Sequence, residues 1–278
     1  MKKYVLIGHP LGHSMSPFIH EKLFQASGKN EEYSLVDIAP ENLEAELPKL
    51  LAETGGMNVT IPHKSAVIPF MDKMDDSAAR YNSVNCINFC EGKIIGYNTD
   101  CDGFLRSVPK EALCGKVLII GCGGVGRMIA IEAARHGADI TIAIIPEAAE
   151  MAKVLVDEIT ERYSGASVKT VMTDSISGEF DLLINASPVG MYPKTDECPV
   201  TEEVVKICKN VFDVIYNPSE TKLMKTAAAY GIPATGGMSM LVLQAVVAHE
   251  IWEGDSYTPE QIDSIIKEAT EIVDRDFK

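Results

Sequence analysis

One short segment carries residue types that could hold a polyol and move a proton. Met57–Ile61 alternates apolar and polar residues, so in a β-strand Asn58 and Thr60 lie on the same face. Pro62 cannot donate a backbone hydrogen bond and keeps the residue before it extended, so the strand is predicted to stop there. Lys64 follows just past the strand end. The simpler interpretation is an ordinary strand with two polar residues facing water and a solvated lysine.

Polar residues elsewhere in the chain could complete such a site. Asp100 could cap a helix or a turn, or it could lie beside Lys64 as the second member of a proton-handling pair. Ser14 and Ser16 are two residues apart and could point the same way in an extended loop. Ser16 is also predicted to be an N-cap, with Pro17 as the first helical residue.

Three further side chains leave alternatives open. Gln244 interrupts the apolar part of a predicted helix over 239–252, and an unpaired amide in a core is costly, so it is expected to face a partner or a pocket. Tyr216 follows an apolar strand and could be a core residue or could close over a ligand. For His13 and His20, structural hydrogen bonding is the expected role.

The elements that would position these residues alternate between strands and helices, which is typical of an α/β protein. The segment 116–120 predicts a strand, and 121–126 reads Gly-Cys-Gly-Gly-Val-Gly. A helix over about 128–136 and a strand over 139–145 follow. In this context a GxGxxG motif indicates a dinucleotide site, because its glycines allow a tight turn and let a pyrophosphate rest on the helix N-terminus.

Composition excludes several classes of function. A chain of 278 residues suits two domains, and its formal net charge of −15 argues against nucleic acid or an anionic membrane as partner. Its apolar runs are too short to span a bilayer. Seven Cys without a CxxC pair, and an N-terminus without a signal peptide, predict reduced thiols, no metal site and a cytoplasmic location.

Together these segments resemble the shikimate dehydrogenase family, including its quinate-oxidising relatives. The resemblance covers nearly the whole chain in the family's order. The matching motifs are Ser14-Met15-Ser16-Pro17, Asn58-Val59-Thr60-Ile61-Pro62-His63-Lys64, Val84-Asn85, Asn98-Thr99-Asp100, the glycine loop 121–126, Asn185-Ala186-Ser187-Pro188-Val189-Gly190-Met191, Asp213-Val214-Ile215-Tyr216-Asn217-Pro218 and Gly236-Gly237-Met238.

The resemblance implies two domains: an α/β substrate domain of residues 1–104 plus 239–278, and a Rossmann-like dinucleotide-binding domain with a parallel sheet over 105–238. It implies that Lys64 is the catalytic acid/base, paired with Asp100, and that Tyr216 borders the substrate. The implied shikimate ligands are Ser14, Ser16, Asn58, Thr60, Asn85, Asp100 and Gln244. The implied cofactor contacts are Gly121, Gly123, Gly124, Val125 and Gly126 at the pyrophosphate, and Gly237 with Met238 near the nicotinamide.

The activity implied is the reversible reduction of 3-dehydroshikimate to shikimate, in chorismate and aromatic amino acid biosynthesis, by a monomer or homodimer. Quinate or another polyol acid is the alternative substrate, and a nucleotide-binding sensor without turnover is the alternative from another class. Two departures matter. Cys86 stands where the family usually has Thr, and Ile144-Ile145-Pro146 stands where an Asn-Arg-Thr would read the phosphate of NADP. NADP is therefore the expected cofactor by family, with NAD possible.

Overall fold

A computed structural model describes residues 1–12 and 14–276, so His13 lies outside the described residues. The chain forms two compact units. The first contains Met1–Gly103 and Leu241–Ala269, and the second contains Phe104–Met240 and the described residues from Thr270 onward. The functional domain bounds expected above remain a prediction.

The first unit is built on a mixed sheet. Its elements before Asn98 are β1 (Lys3–Gly8), α1 (Ser16–Ala26), β2 (Glu32–Asp37), α2 (Leu43–Glu53), β3 (Gly56–Val59), β4 (Lys73–Met74), α3 (Asp76–Tyr81), β5 (Cys86–Cys90) and β6 (Lys93–Tyr97). The strand order is β2-β1-β3-β5-β6-β4, with β1 parallel to both of its neighbours and β5 antiparallel to both of its own. The β5–β6 hairpin turns at Glu91-Gly92, as predicted.

The strand β3 differs from its prediction in length and in burial. It ends at Val59, two residues before Ile61, and all four of its residues are buried because β3 lies in the sheet between β1 and β5. Asn58 is therefore only 4% exposed, and the interpretation of a polar residue facing water is wrong. A buried amide needs hydrogen-bond partners within the protein.

The second part of the chain carries a parallel sheet. Its elements are α4 (Thr99–Ser107), α5 (Lys110–Leu113), β7 (Lys116–Ile120), α6 (Gly124–Arg135), β8 (Asp139–Ile144), α7 (Ala149–Arg162), β9 (Ser167–Met172), β10 (Leu182–Asn185), α8 (Glu202–Lys206), β11 (Val211–Asp213), α9 (Lys222–Ala229), β12 (Ala234–Gly236), α10 (Gly237–Glu253) and α11 (Pro259–Asp276). All neighbours in the order β12-β11-β10-β7-β8-β9 are parallel. This is the doubly wound order of dinucleotide-binding folds, and it confirms the predicted fold class.

The cores follow from these sheets. In the second unit, residues of β7 and β10 such as Leu118 and Leu183 pack with Leu223 of α9. In the first, Ile7 of β1 packs with Met57 and Val59 of β3. Among the described residues, no helix is both long enough and apolar enough to cross a membrane.

Candidate active site

The predicted pair of Lys64 and Asp100 is brought together. The ammonium group of Lys64 donates to Oδ2 of Asp100 at 2.6 Å, and the two side chains are 28% and 19% exposed. The carbonyl of Lys64 accepts from the backbone N–H of Val84, which fixes the loop after β3. Oδ1 of Asn98 accepts from the N–H of Asp100, so Asn98 makes the local turn contact and the carboxylate of Asp100 faces Lys64.

Three of the predicted substrate ligands join this pair in one buried network. Nδ2 of Asn85 donates to Oδ1 of Asp100 at 2.9 Å, and Nδ2 of Asn58 donates to the carbonyl of Asn85 at 3.2 Å. The hydroxyl of Thr99 lies 3.3 Å from Oε1 of Gln244, and the N–H of Thr99 donates to Oδ1 of Asn85 at 2.7 Å. The expectation that Gln244 faces a polar partner is therefore correct.

The other predicted ligands of the first unit follow β1 and β3: Ser14 lies before α1, Ser16 is its first residue, and Thr60 comes directly after β3. Met15, not Ser16, is the N-cap of α1, because the backbone of Ser16 is already helical; the predicted cap is one residue too late. Oγ of Ser14 accepts from the N–H of Ser16 at 3.2 Å. The methyl group of Thr60 lies so close to Gly8 that a Cβ on Gly8 would overlap it. Within the described part of the chain, no hydrogen bond connects Ser14, Ser16 or Thr60 to the network.

Sequence reasoning missed two members of the site. The hydroxyl of Tyr33, on β2, donates to Oδ1 of Asn58 at 2.8 Å. Thr99 was predicted only as the middle residue of the motif Asn98-Thr99-Asp100, with no role of its own. Neither role is readable from the sequence, since each depends on a partner far away along the chain. Burial raises the pKa of the Cys86 thiol, so this residue stays neutral and adds no charge to the site.

The glycine loop between β7 and α6 fits a dinucleotide. Gly121 has a φ of +92°, which a side chain would strain, and a Cβ on Gly126 would lie 2.5 Å from the carbonyl oxygen of Gly121. Gly123 and Gly124 are exposed, and a Cβ on either would meet nothing within 4 Å. The backbone N–H groups at the start of α6 thus lie open to a phosphate group.

Gly237, at the start of α10, is packed against the backbone that follows β11. Its N–H donates to the carbonyl of Ile215 at 3.0 Å, and a Cβ on Gly237 would overlap the carbonyl oxygen of Val214. Met238 beside it is 5% exposed. Burial raises the pKa of Tyr216, which keeps this phenol neutral.

The same strand end holds a buried carboxylate. Asp213 accepts from Nδ2 of Asn185 at 3.0 Å, from the hydroxyl of Thr221 at 2.7 Å and from the N–H of Ile215 at 3.1 Å. It thereby ties the ends of β10 and β11 to the start of α9. Burial, only partly offset by these hydrogen bonds, raises its pKa to about 6.

This raised pKa predicts a pH-dependent stability. Because the folded pKa of Asp213 exceeds the unfolded value of 3.8, its contribution is fully present below pH 3.8 and is lost as the pH rises through about 6. Asp213→Asn stays neutral and keeps Oδ1, which accepts from Asn185 and Ile215, while its NH₂ group replaces Oδ2 and can donate to the hydroxyl of Thr221. At each pH, the free energy of unfolding of the wild type is subtracted from that of Asp213→Asn. This difference should be about 2–3 kcal/mol larger at pH 8 than at pH 4. Urea unfolding of both proteins across this range measures it, and a pH-independent difference contradicts it.

The tip of β8, where such folds read the adenosine ribose, carries no cation. Ile145 is 54% exposed and Glu147 is exposed beside it. No Lys, Arg or His occurs between His136 and Lys153. Arg127, at the start of α6, makes a two-point ion pair with Glu158 on α7, nine residues past the first residue of that helix. At a rise of 1.5 Å per residue, Glu158 lies about 13 Å along α7 from the helix end beside β8, and this residue holds the guanidinium of Arg127.

Comparison with known proteins gives a consistent assignment. The family model of the shikimate dehydrogenase substrate binding domain matches residues 6–87. The shikimate dehydrogenase (NADP(+)) of Methanopyrus kandleri is 39% identical to this chain, over 90% of the chain and 89% of that protein.

Two solved structures are also similar. A shikimate dehydrogenase in complex with NADP⁺ matches with a TM-score of 0.84 and 35% identity, over 96% of this chain and 95% of its own. A shikimate 5-dehydrogenase of Listeria monocytogenes, in complex with shikimate and NAD, matches with a TM-score of 0.86 and 25% identity, over 95% of this chain and 96% of its own. With a relative 39% identical over nine-tenths of its length, this chain belongs to the shikimate dehydrogenase family of oxidoreductases.

Proposed function

We propose that the chain interconverts 3-dehydroshikimate and shikimate with a nicotinamide dinucleotide. The observation that carries the proposal is the buried network that joins the Lys64–Asp100 pair to the amides of Asn58, Asn85 and Gln244. A proton-transfer group attached to several hydrogen-bonding side chains suits a polyhydroxy acid whose carbonyl is reduced. A sensor that only binds a nucleotide has no need of such a pair.

Each protein group then has a role in the reaction. In reduction, Lys64 donates a proton to the carbonyl oxygen of the substrate, and in oxidation it takes the proton of the alcohol. Asp100 holds the ammonium group in place, and Asn85 holds Asp100. Gly121, Gly123, Gly124, Val125 and Gly126 would hold the pyrophosphate, with Gly237 and Met238 near the nicotinamide. When bound, the dinucleotide supplies or takes up the hydride.

The test is a comparison of kcat/KM for shikimate and for quinate, each with NADP⁺ and with NAD⁺. Shikimate should be the better substrate with either cofactor. A higher efficiency on quinate would move the assignment to a quinate dehydrogenase of the same family. The absence of any cofactor-dependent rate across a panel of polyol acids would leave the nucleotide sensor as the function.

For the cofactor, we propose that this chain uses NAD(H) at least as well as NADP(H). The curated relative named above is an NADP(+) enzyme. A 2′-phosphate is normally read by an Arg near the second strand tip, whereas Ile145 and Glu147 stand there in this chain. An apolar side chain beside a carboxylate offers the phosphate no charge-assisted hydrogen bond, and Glu147 would repel it.

Restoring a cation tests the cofactor proposal. Ile145→Arg should raise kcat/KM for NADP⁺ by about 10- to 100-fold, the size of a charge-assisted hydrogen bond, and change that for NAD⁺ less. Val154→Arg is the matched control, because Val154 is also exposed, at 61%, but lies five residues past the first residue of α7 and so farther from the tip of β8. An equal gain in the control would show a general charge effect. A wild-type preference for NADP⁺ of more than tenfold would show that the phosphate is read elsewhere.

A further inference from the structure

We infer that Tyr33 and Thr99 are positioning residues that lock the amides of Asn58 and Gln244 so that each presents an N–H donor to the ligand. The inference rests on the proposed function, since it takes Asn58 and Gln244 as substrate ligands. It adds two residues that act through these amides and specifies the hydrogen-bonding character of the site.

The orientation of Asn58 is fixed from both ends of its amide. One end lies 3.2 Å from the backbone carbonyl of Asn85, which can only accept, so this end must be the NH₂ group. The other end is therefore the oxygen, and the hydroxyl of Tyr33 donates to it at 2.8 Å. The ring of Tyr33 is held in turn by stacking on His20, with centroids 3.9 Å apart and planes 5° from parallel. The NH₂ group of Asn58 has a second hydrogen, which it can donate to a ligand.

Gln244 is fixed in the same way. Its Nε2 donates to the carbonyl of Leu241 at 2.9 Å, which identifies the nitrogen. Its Oε1 faces the hydroxyl of Thr99 at 3.3 Å. That hydroxyl accepts from Nδ2 of Asn85 at 3.1 Å, while Oδ1 of Asn85 already receives the N–H of Thr99 at 2.7 Å. Oδ1 of Asn85 also lies 3.3 Å from the hydroxyl of Thr99, but it already accepts the N–H of Thr99, whereas among the described residues Oε1 of Gln244 has no donor other than this hydroxyl. We therefore assign the hydroxyl hydrogen of Thr99 to Gln244, whose NH₂ group keeps one hydrogen for a ligand.

The consequence is a ligand preference at two defined points. Two amide N–H donors, together with the ammonium of Lys64, favour ligand atoms that accept hydrogen bonds: carboxylate, carbonyl and hydroxyl oxygens. A ligand ammonium group at the same points can only donate, so it would oppose donor to donor and be rejected. A polyhydroxy acid meets this requirement, and an aminopolyol does not.

The test uses variants that change one hydroxyl each. Tyr33→Phe and Thr99→Val should each raise KM for shikimate about tenfold, with kcat changed less than threefold, because the lost bond affects ground state and transition state alike. Thr99→Ser restores the hydroxyl and should recover most of the lost affinity. Tyr33→Phe keeps the ring that stacks on His20, so this variant remains informative if Thr99→Val fails to fold.

Double variants show whether the effect passes through the amides. In an Asn58→Ala background, Tyr33→Phe should add less than a twofold change in KM. In a Gln244→Ala background, Thr99→Val should raise KM clearly less than it does in the wild type, and the part that remains is expected from its second contact, with Asn85. Multiplicative effects in these backgrounds would mean a general structural role and would overturn the inference, as would single variants with a wild-type KM. Calorimetric titration of the wild type with shikimate distinguishes a failure of this inference from a failure of the proposed function. If the wild type does not bind shikimate, the proposed function itself is refuted.

Discussion

Lys64→Ala should lower kcat for shikimate oxidation by about 10²- to 10⁴-fold, the usual contribution of a positioned acid/base. The fold should survive, because the Lys64 side chain is 28% exposed and Asp100 keeps its hydrogen bond from Asn85. The melting temperature should change by only a few degrees, as is usual for a partly exposed site. Steady-state rates at saturating shikimate, with thermal unfolding of the same samples, measure both.

Lys64→Arg is the control that separates proton transfer from charge. An arginine keeps the positive charge and can still pair with Asp100, but it does not release a proton near neutral pH. If Lys64 transfers the proton, the Arg variant should be nearly as slow as the Ala variant while shikimate binding is largely retained. An Arg variant within tenfold of the wild-type kcat would show that the charge alone suffices, and the acid/base role would be abandoned.

The second unit was largely predictable because its signals are local. The glycine motif at 121–126 lies between a continuous apolar strand and a helix, so one stretch of chain indicates the turn, the helix start and the ligand class. The helix itself begins at Gly124, about four residues before its predicted start, because glycines at a ligand-binding turn hide a helix N-terminus from propensity arguments. Short elements such as β4, with two residues, gave no periodic signal at all.

The site in the first unit was predictable in its ligand types but not in its connections. Alternation around Asn58 indicated a half-exposed strand, whereas pairing with β1 and β5 buries the residue. The register of β2 against β1, and of β1 against β3, places Tyr33 within reach of Asn58, and no local pattern encodes that register. Gln244 meets Thr99 across 145 residues of chain. Contacts of this kind depend on tertiary structure.

Gly237→Ala should destabilise the protein clearly, because the new methyl group would have no space. A Cβ at this position overlaps the carbonyl oxygen of Val214 and lies 2.5 Å from its carbonyl carbon and 2.9 Å from that of Ile215. These are backbone atoms that cannot rotate away, so α10 would have to separate from the end of β11. Overpacking of this kind costs about 1–3 kcal/mol or more, and the melting temperature should fall by several degrees.

Gly123→Ala is the matched control, since it adds the same methyl group where a Cβ meets nothing within 4 Å and φ is −65°. Its melting temperature should stay close to that of the wild type, but its methyl group would stand where a pyrophosphate must approach the backbone. Titration with NAD⁺ and NADP⁺ should therefore show weakened binding in Gly123→Ala without loss of stability. Normal cofactor binding in Gly123→Ala would show that the glycine loop does not hold the pyrophosphate. A wild-type melting temperature in Gly237→Ala would contradict the close packing described at the start of α10.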